Sequence, residues 1–337
     1  MDITGFPRRH YSHGPTPIER LEGFSQALGA SAPSVYIKRD DQLGLAGGGN
    51  KARKLEFLVA DALAQGADTL ITCGGVQSNH CRLTLSAAAR EGLHCRLVLT
   101  ESTPGAYQPD GNGNVLLFHL LGAERIITVP SDADPDQALA AAGAAARAEG
   151  RRPYLIPMGG SNPLGALGYV ACALELLDQL RDSGPALQHI FLPVGSAGTW
   201  AGLLLGLSAR RSSLPVTGIS VLQPRAGAEA TVRRLLGATA EFLGTEAPPA
   251  GAVTCLDDYL GAGYTLPTPG MLEAVQLLAR SEGILLDPTY TGKAMAGLVD
   301  QVRQGRFRKE DNILFLHTGG APGLYARPEL FRATGTR

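Results

Sequence analysis

Short apolar runs recur along the chain with helical patterns between them: SVYIK (34–38), TLITC (69–73), HCRLVLT (94–100), RIITV (125–129), PYLIP (153–157), HIFLPV (189–194), VTGISVL (216–222) and NILFLH (312–317). Runs this apolar leave no solvent face, so they read as strands covered on both sides. Strands separated by helices cannot pair as hairpins, and the alternation predicts an α/β fold of mainly parallel sheets with crossover helices. One helix is explicit after residue 50: Leu55, Leu58, Val59 and Ala62 fall at i, i+3, i+4 and i+7, and Gly66 is a suitable stop. Asp134 and Pro135 open an Ala-rich helix that Gly150 ends. No Pro/Ser-rich linker or internal repeat divides the 337 residues, so continuity of the βα pattern sets the expected domains. These are a small α/β domain over 53–163 and a large α/β domain formed by 1–52 with 164–337.

Charge narrows the partners. Thirty basic residues against 31 acidic ones give a net charge of -1, which offers no electrostatic footprint for nucleic acid or anionic lipid. No apolar run reaches the roughly 18 residues of a membrane span, and MDITGFPRRHYSHGPTP lacks the apolar centre of a signal peptide. The expectation is a cytoplasmic protein, without a membrane or nucleic-acid partner, acting on small molecules. Five cysteines (Cys73, Cys81, Cys95, Cys172, Cys255), odd in number and widely spaced, read as buried free thiols; neither a disulfide framework nor a metal site is expected.

Three places combine a strand, a glycine turn and a helix: TLITCGGVQSNHCRL, IFLPVGSAGTWAGLL and ILFLHTGGAPGLY. In open α/β sheets ligands collect at such strand ends, where the N–H groups of a helix N-terminus face an anion. GSAGT (Gly195, Ser196, Ala197, Gly198, Thr199) is the best phosphate cradle, with hydroxyls on Ser196 and Thr199; an ordinary strand-to-helix turn is the alternative. Two nucleotide motifs fail on spacing. In a Walker loop Lys51 would follow Gly49 directly and precede Ser or Thr, but Asn50 intervenes and Ala52 follows. Neither GSAGTWAG nor GGVQSN places the third glycine of a dinucleotide fingerprint.

A phosphate that is not on a nucleotide, with a lysine behind GGGN, suggests pyridoxal 5'-phosphate (PLP). A lysine amine links covalently to its aldehyde, and the ring acts as an electron sink. Such an amine needs a pKa below the ordinary ~10.4, by desolvation or by cations such as the adjacent Arg53 and Lys54. The glycines are expected to make room for the cofactor, and a solvated surface cation is the alternative for Lys51.

FPRR, PTPIERL, IKRDD, GGNKARKLEFL, QSNH, GGSNPLGALGYV, GSAGT, GAGY, LLDPTYTGKAMAGL and FLHTGGAP, in this order, span nearly the whole chain. Together they resemble the 1-aminocyclopropane-1-carboxylate deaminase/D-cysteine desulfhydrase family of fold type II PLP enzymes, the two-domain tryptophan synthase β-like architecture. The resemblance implies that Lys51 carries the cofactor and moves the proton, and that Asn79 bonds the ring hydroxyl. Gly195 to Thr199 would hold the phosphate with Lys54 as helper, and Thr318 would meet the pyridine nitrogen. Ser78, Asn79, His80 and Thr291 would meet the substrate, Ser78 taking its carboxylate, while Tyr264 and Tyr290 would close over the reacting carbons. Capping is the alternative for Ser78 and Asn79, and packing for His80, His317 and the tyrosines.

Within the family the deaminase resembles a chain with glutamate after the DPxY tyrosine and leucine in the C-terminal loop, where this sequence has Thr291 and Thr318. YTGKAMAG looks like the desulfhydrase, whereas FPRR and SNPLGALGYV look closer to L-cysteate sulfo-lyase, and Leu83 replaces a glutamine common to both. The implied reaction is α,β-elimination on D-cysteine to pyruvate, ammonia and hydrogen sulfide. Release of sulfite from L-cysteate is the alternative, followed by the cyclopropane deaminase reaction and a non-catalytic sensor. The family also implies a homodimer.

Overall fold

The computed structural model describes residues 2–332. Its strands are β1 (Ile18–Arg20), β2 (Ser34–Lys38), β3 (Thr69–Gly75), β4 (His94–Glu101), β5 (Arg125–Pro130), β6 (Pro153–Ile156), β7 (His189–Val194), β8 (Val216–Ser220), β9 (Thr254–Leu256) and β10 (Asn312–Leu316). Its helices are α1 (Glu22–Ala27), α2 (Lys51–Ala64), α3 (Asn79–Glu91), α4 (Asn114–Leu120), α5 (Pro135–Ala148), α6 (Pro163–Asp182), α7 (Gly198–Ala209), α8 (Arg225–Phe242), α9 (Pro269–Glu282), α10 (Thr291–Arg303) and α11 (Ala321–Tyr325).

The strands form two sheets, one in the order β1-β2-β10-β7-β8-β9 and one in the order β5-β4-β3-β6. Every pairing is parallel except β1 with β2, where Ile18 lies opposite Lys38. Each sheet is covered on both faces, as the apolar runs require. Along β7, Ile190, Leu192 and Val194 enter the core shared with α6, α7 and α8, while Phe191 between them enters the core of α9 and α10. Along β3, Leu70 faces α2 and α3 while Ile71 and Cys73 face α5.

Eight strands fall where the apolar runs predict them. β1 and β9 have three residues each, too few to show a period of two. Double-sided burial fails at β5, where Arg125, Thr128 and Pro130 are exposed, because β5 is an edge strand. All five cysteines are free and buried. Among the described residues no helix is long and apolar enough to cross a membrane.

Two helices matter most for the site. GTWAGLLLGLSA of α7 is apolar around its whole circumference and is buried from Gly198 to Leu207, so its N-terminal N–H groups sit inside the protein. α2 buries its polar residues as well, because it packs on both α3 and α6; Arg53, Lys54 and Glu56 are almost fully enclosed.

Candidate active site

The glycine turns meet because they all follow C-terminal ends of parallel strands: 76–79 after β3, 157–162 after β6, 195–199 after β7 and 317–320 after β10. Lys51 is the first residue of α2, entered through Gly47, Gly48 and Gly49 at φ +75°, +67° and +125°. A side chain on Gly48 would also overlap the Asp41 carbonyl. These glycines serve a left-handed turn and a close backbone approach. Asn50 fastens the turn at both ends: its N–H donates to Thr318 O at 3.0 Å and its Nδ2 to Thr199 Oγ1 at 2.8 Å.

The Lys51 amine lies 3.5 Å from Ser196 Oγ, which meets Ser161 Oγ at 2.9 Å. Lys54, one helical turn on, donates to Gly159 O and Ser161 Oγ, each at 3.1 Å. Burial pushes Lys51 down to about 8. Burial, with Lys51 as like-charged neighbour, pushes Lys54 well below the ordinary lysine range. Arg53 does not contribute, contrary to expectation. Its guanidinium points to the opposite side of α2, into a buried network with Asp40 (Nε to Oδ2, 2.9 Å) and Glu175 (Nη1 to Oε2, 2.8 Å). Helical geometry accounts for this, since i+3 returns to the face of residue i and i+2 does not.

The GSAGT turn enters α7 through Ala197 at φ +71°, and Gly198 N–H donates to Ser161 Oγ at 3.3 Å. A Cβ on Gly198 would come within 2.6 Å of Lys54 Nζ, and one on Gly159 would overlap Ser196 Oγ and lie 3.3 Å from Lys51 Nζ. Tyr290 has its ring edge against Gly195, and its hydroxyl is hydrogen-bonded to that of Tyr264. Burial raises Tyr264 to about 12 and also raises Tyr290 well above the ordinary phenol value, so both phenols stay protonated at neutral pH.

Ser78 caps α3, accepting from Cys81 N at 3.1 Å. Asn79 Oδ1 accepts from Asn114 Nδ2 at 3.0 Å and Arg82 Nη2 at 3.3 Å. Arg82 also donates to the carbonyls of Ala46 and Gly48, and this joins Ser78 and Asn79 to the turn before Lys51. Thr72 gives its proton to Ile156 O and so accepts from His80 Nε2 at 2.8 Å, which leaves His80 Nδ1 buried without a partner among the described residues. Burial, then Lys51 and Lys54, hold His80 neutral. Thr318 lies beside Gly49, and its hydroxyl has no partner among the described residues. Thr291 differs from expectation: its buried hydroxyl accepts from Asp287 N at 2.8 Å and donates to Asp287 Oδ1 at 2.7 Å. It builds the turn under Tyr290 instead of facing a substrate. His317 is buried with Nε2 at 3.1 Å from Leu285 O, a packing role as read.

Asn50, Ser161, Arg82 and Asp287 are site residues that pattern reading misses. Only Ser161 and Asn50 carry a signal, as the polar residues of otherwise glycine-rich turns. An apolar groove of about 840 Å³ with Leu116, Val275, Leu324 and Phe331 in its walls contains none of the candidate residues.

The donor set fits PLP. Lys51, Lys54 and Arg82 have no carboxylate within 4.0 Å among the described residues, so no acidic side chain competes with an anionic ligand for their donors. The N-terminus of α7, Ser196 and Lys54 could hold a phosphate, and Lys51, with its lowered pKa, is suited to a covalent link to an aldehyde.

Residues 10–319 match the family model described as pyridoxal-phosphate dependent enzyme, and the chain belongs to that family. Within it, the chain is 46% identical over 327 residues, 96% of its length and 97% of the relative's, to the D-cysteine desulfhydrase of Serratia proteamaculans (strain 568). As a homologue of that protein it is a PLP-dependent lyase. A crystal structure described as an ACC deaminase homologue superposes with TM-score 0.85 and 38% identity, covering 97% of this chain and 96% of that one. A mutant of O-ureido-L-serine synthase, with O-ureido-L-serine bound, matches at TM-score 0.66 and 19% identity, over 97% and 94% of the two chains, a likeness of fold.

Proposed function

We propose that the protein converts D-cysteine to pyruvate, ammonia and hydrogen sulfide by α,β-elimination. The observation that supports this reaction class most directly is the Lys51 amine, lowered to about 8 by burial, 3.5 Å from the Ser196 hydroxyl and without a carboxylate partner among the described residues. The substrate choice rests on the 46% identity to a D-cysteine desulfhydrase across both full lengths.

Bound PLP supplies the aldehyde that takes the substrate amine and the ring that accepts the electron pair left at Cα. Lys54, Ser196, Gly198 and Thr199 would hold its phosphate, Asn79 its ring hydroxyl, and Thr318 its ring nitrogen with a neutral hydroxyl. Ser78 and the first N–H groups of α3, with Asn79 and His80 alongside, orient the substrate carboxylate. Lys51 Nζ takes the proton from Cα as the Cα–H bond breaks. The Cβ–S bond then breaks with its electron pair on sulfur, and the Tyr264–Tyr290 hydroxyl pair, protonated at neutral pH, donates to the departing thiolate. The resulting 2-aminoacrylate takes up water and yields pyruvate and ammonia. The setting is cytoplasmic and the assembly a homodimer, which fractionation and sedimentation velocity test.

The 38% identical ACC deaminase homologue favours a second reading, ring opening of the cyclopropane amino acid to a 2-oxo acid. Its competitor L-cysteate shares the elimination chemistry and differs only in leaving group. Offering D-cysteine, L-cysteine, L-cysteate, β-chloro-D-alanine and the cyclopropane amino acid in parallel separates these readings. Sulfide with pyruvate from D-cysteine is expected; sulfite from L-cysteate with no sulfide from D-cysteine sinks the assignment.

A further inference from the structure

Lys293, in the YTGKAMAG run, is fully buried in the first turn of α10, yet no carboxylate lies within 4.0 Å of its amine among the described residues. Its partners are two backbone carbonyls, Leu260 O at 2.7 Å and Gly263 O at 2.8 Å. This is an unfavourable place for an ammonium. Burial without a counter-ion disfavours the charge, and the positive end of the helix dipole disfavours it again. A methionine would fill the same volume without either cost.

The position of the two carbonyls accounts for the lysine. They belong to the segment between β9 and α9 that carries Tyr264, and α10 begins immediately after Tyr290. The same helix also holds this segment two turns further on, where Asp300 accepts from Tyr259 Oη at 2.6 Å. The segment needs holding: Thr265, directly after Tyr264, is a non-glycine residue at φ +65°. Tyr290 is fixed from the other side of the helix start, by Asp287.

We infer that Lys293 is a positioning residue that clips the Tyr264 segment to the start of α10, so that one helix terminus sets the geometry of the Tyr264–Tyr290 pair. The catalytic half of this inference rests on the proposed role of the tyrosines. The mechanical half, a loop held by an ammonium, does not.

The test uses Lys293→Met in the PLP-loaded enzyme. It is expected to lower kcat by about 30-fold while KM moves by less than about threefold. Amide hydrogen exchange across residues 257–265 should accelerate by about tenfold or more, in loaded and apo protein alike, with β3 and β4 unchanged. In a Tyr264→Phe background the same substitution should cost less than about threefold in kcat, because the group it positions is gone. If Lys293→Met fails to fold, Lys293→Ala purified with and without methylammonium replaces it, and recovery of kcat and slow exchange on adding the amine is expected. Unchanged exchange across 257–265, or kcat losses that multiply in the double variant, overturns the clip. Full activity of Tyr264→Phe by itself removes the tyrosine role and the catalytic half of the inference, while exchange still decides the mechanical half.

Discussion

Lys51 combines two effects that work against its charge: burial lowers its amine to about 8, and its place at the first turn of α2 sets it at the positive end of a helix dipole. The neutral amine that the proposed proton abstraction by Lys51 requires is thereby accessible near physiological pH. Lys51→Ala is expected to lose more than about a thousandfold in kcat with the fold intact by circular dichroism, and to bind PLP without the visible absorption of a lysine-linked cofactor. The same shift makes a stability prediction for the apo protein. Between about 8 and the unfolded value near ~10.4 the folded state has released a proton that the unfolded chain retains, so stability rises with pH across that window. Lys51→Met should therefore stabilise the apo protein at pH 7, with the gain shrinking as pH rises from 8 towards 10; a constant gap in urea titrations would show that Lys51 is not shifted.

Among the elements, the turn into α10 shows how a helix start can aim a side chain, here the Tyr290 proposed to act at the site. The Asp287 carboxylate accepts from the N–H groups of Thr289, Tyr290 and Thr291, each at 2.8 Å, and from Thr291 Oγ1. Asp287→Ala leaves these buried donors without an acceptor and is expected to cost about 2–4 kcal/mol in urea unfolding, with kcat falling more than KM rises. This element is half legible in sequence. DPTY announces a turn before a helix and marks the Tyr, but it gives no sign that Thr291 serves the turn, because its hydroxyl's partner, four residues back, depends on how the turn closes. Arg53 teaches a similar lesson. Its placement follows from the helical period, which puts Lys54 and not Arg53 on the face of Lys51.

The whole molecule is tied together by the network around Asp40, which draws on the N-terminal segment, β2, α2 and α6. Asp40 meets Arg53, Thr16 Oγ1 at 2.8 Å and Tyr169 Oη at 2.6 Å, and Lys38 reaches Glu175 at 2.6 Å. Burial by itself would raise the Asp40 pKa, but Arg53 and Lys38 more than reverse this and hold it at about 2. A carboxylate held below its unfolded value near ~3.9 contributes stability that is present above that pH and is lost as pH falls through about 2. Asp40→Asn is expected to cost about 3–5 kcal/mol at pH 7, and less at pH 2.5, because it leaves the buried Arg53 underneutralised. Equal losses at both pH values, by urea unfolding, would contradict the shift. The same network crosses the expected boundary at residue 53, where a small domain over 53–163 would join the rest. We propose the division of the chain into 53–163 and 1–52 with 164–337, a reading supported by the β5-β4-β3-β6 sheet lying wholly within the first and the six-stranded sheet wholly within the second.

The order of amino acids is enough to dictate the parallel α/β architecture, because runs without a polar face can only be strands covered on both sides. It also singles out Lys51, the GSAGT turn and the family, because long motifs in fixed order leave few alternatives. Packing in three dimensions was needed to settle which cation neighbours Lys51, that GGGN is a left-handed turn, that Thr291 serves Asp287, that β5 lies at an edge, and that Lys293 reaches a loop some thirty residues earlier in the chain. The physical reason is common to these cases. Periodicity along a chain fixes which face a side chain occupies, whereas its hydrogen-bond partner is whatever backbone the packing of distant elements brings within about 3 Å.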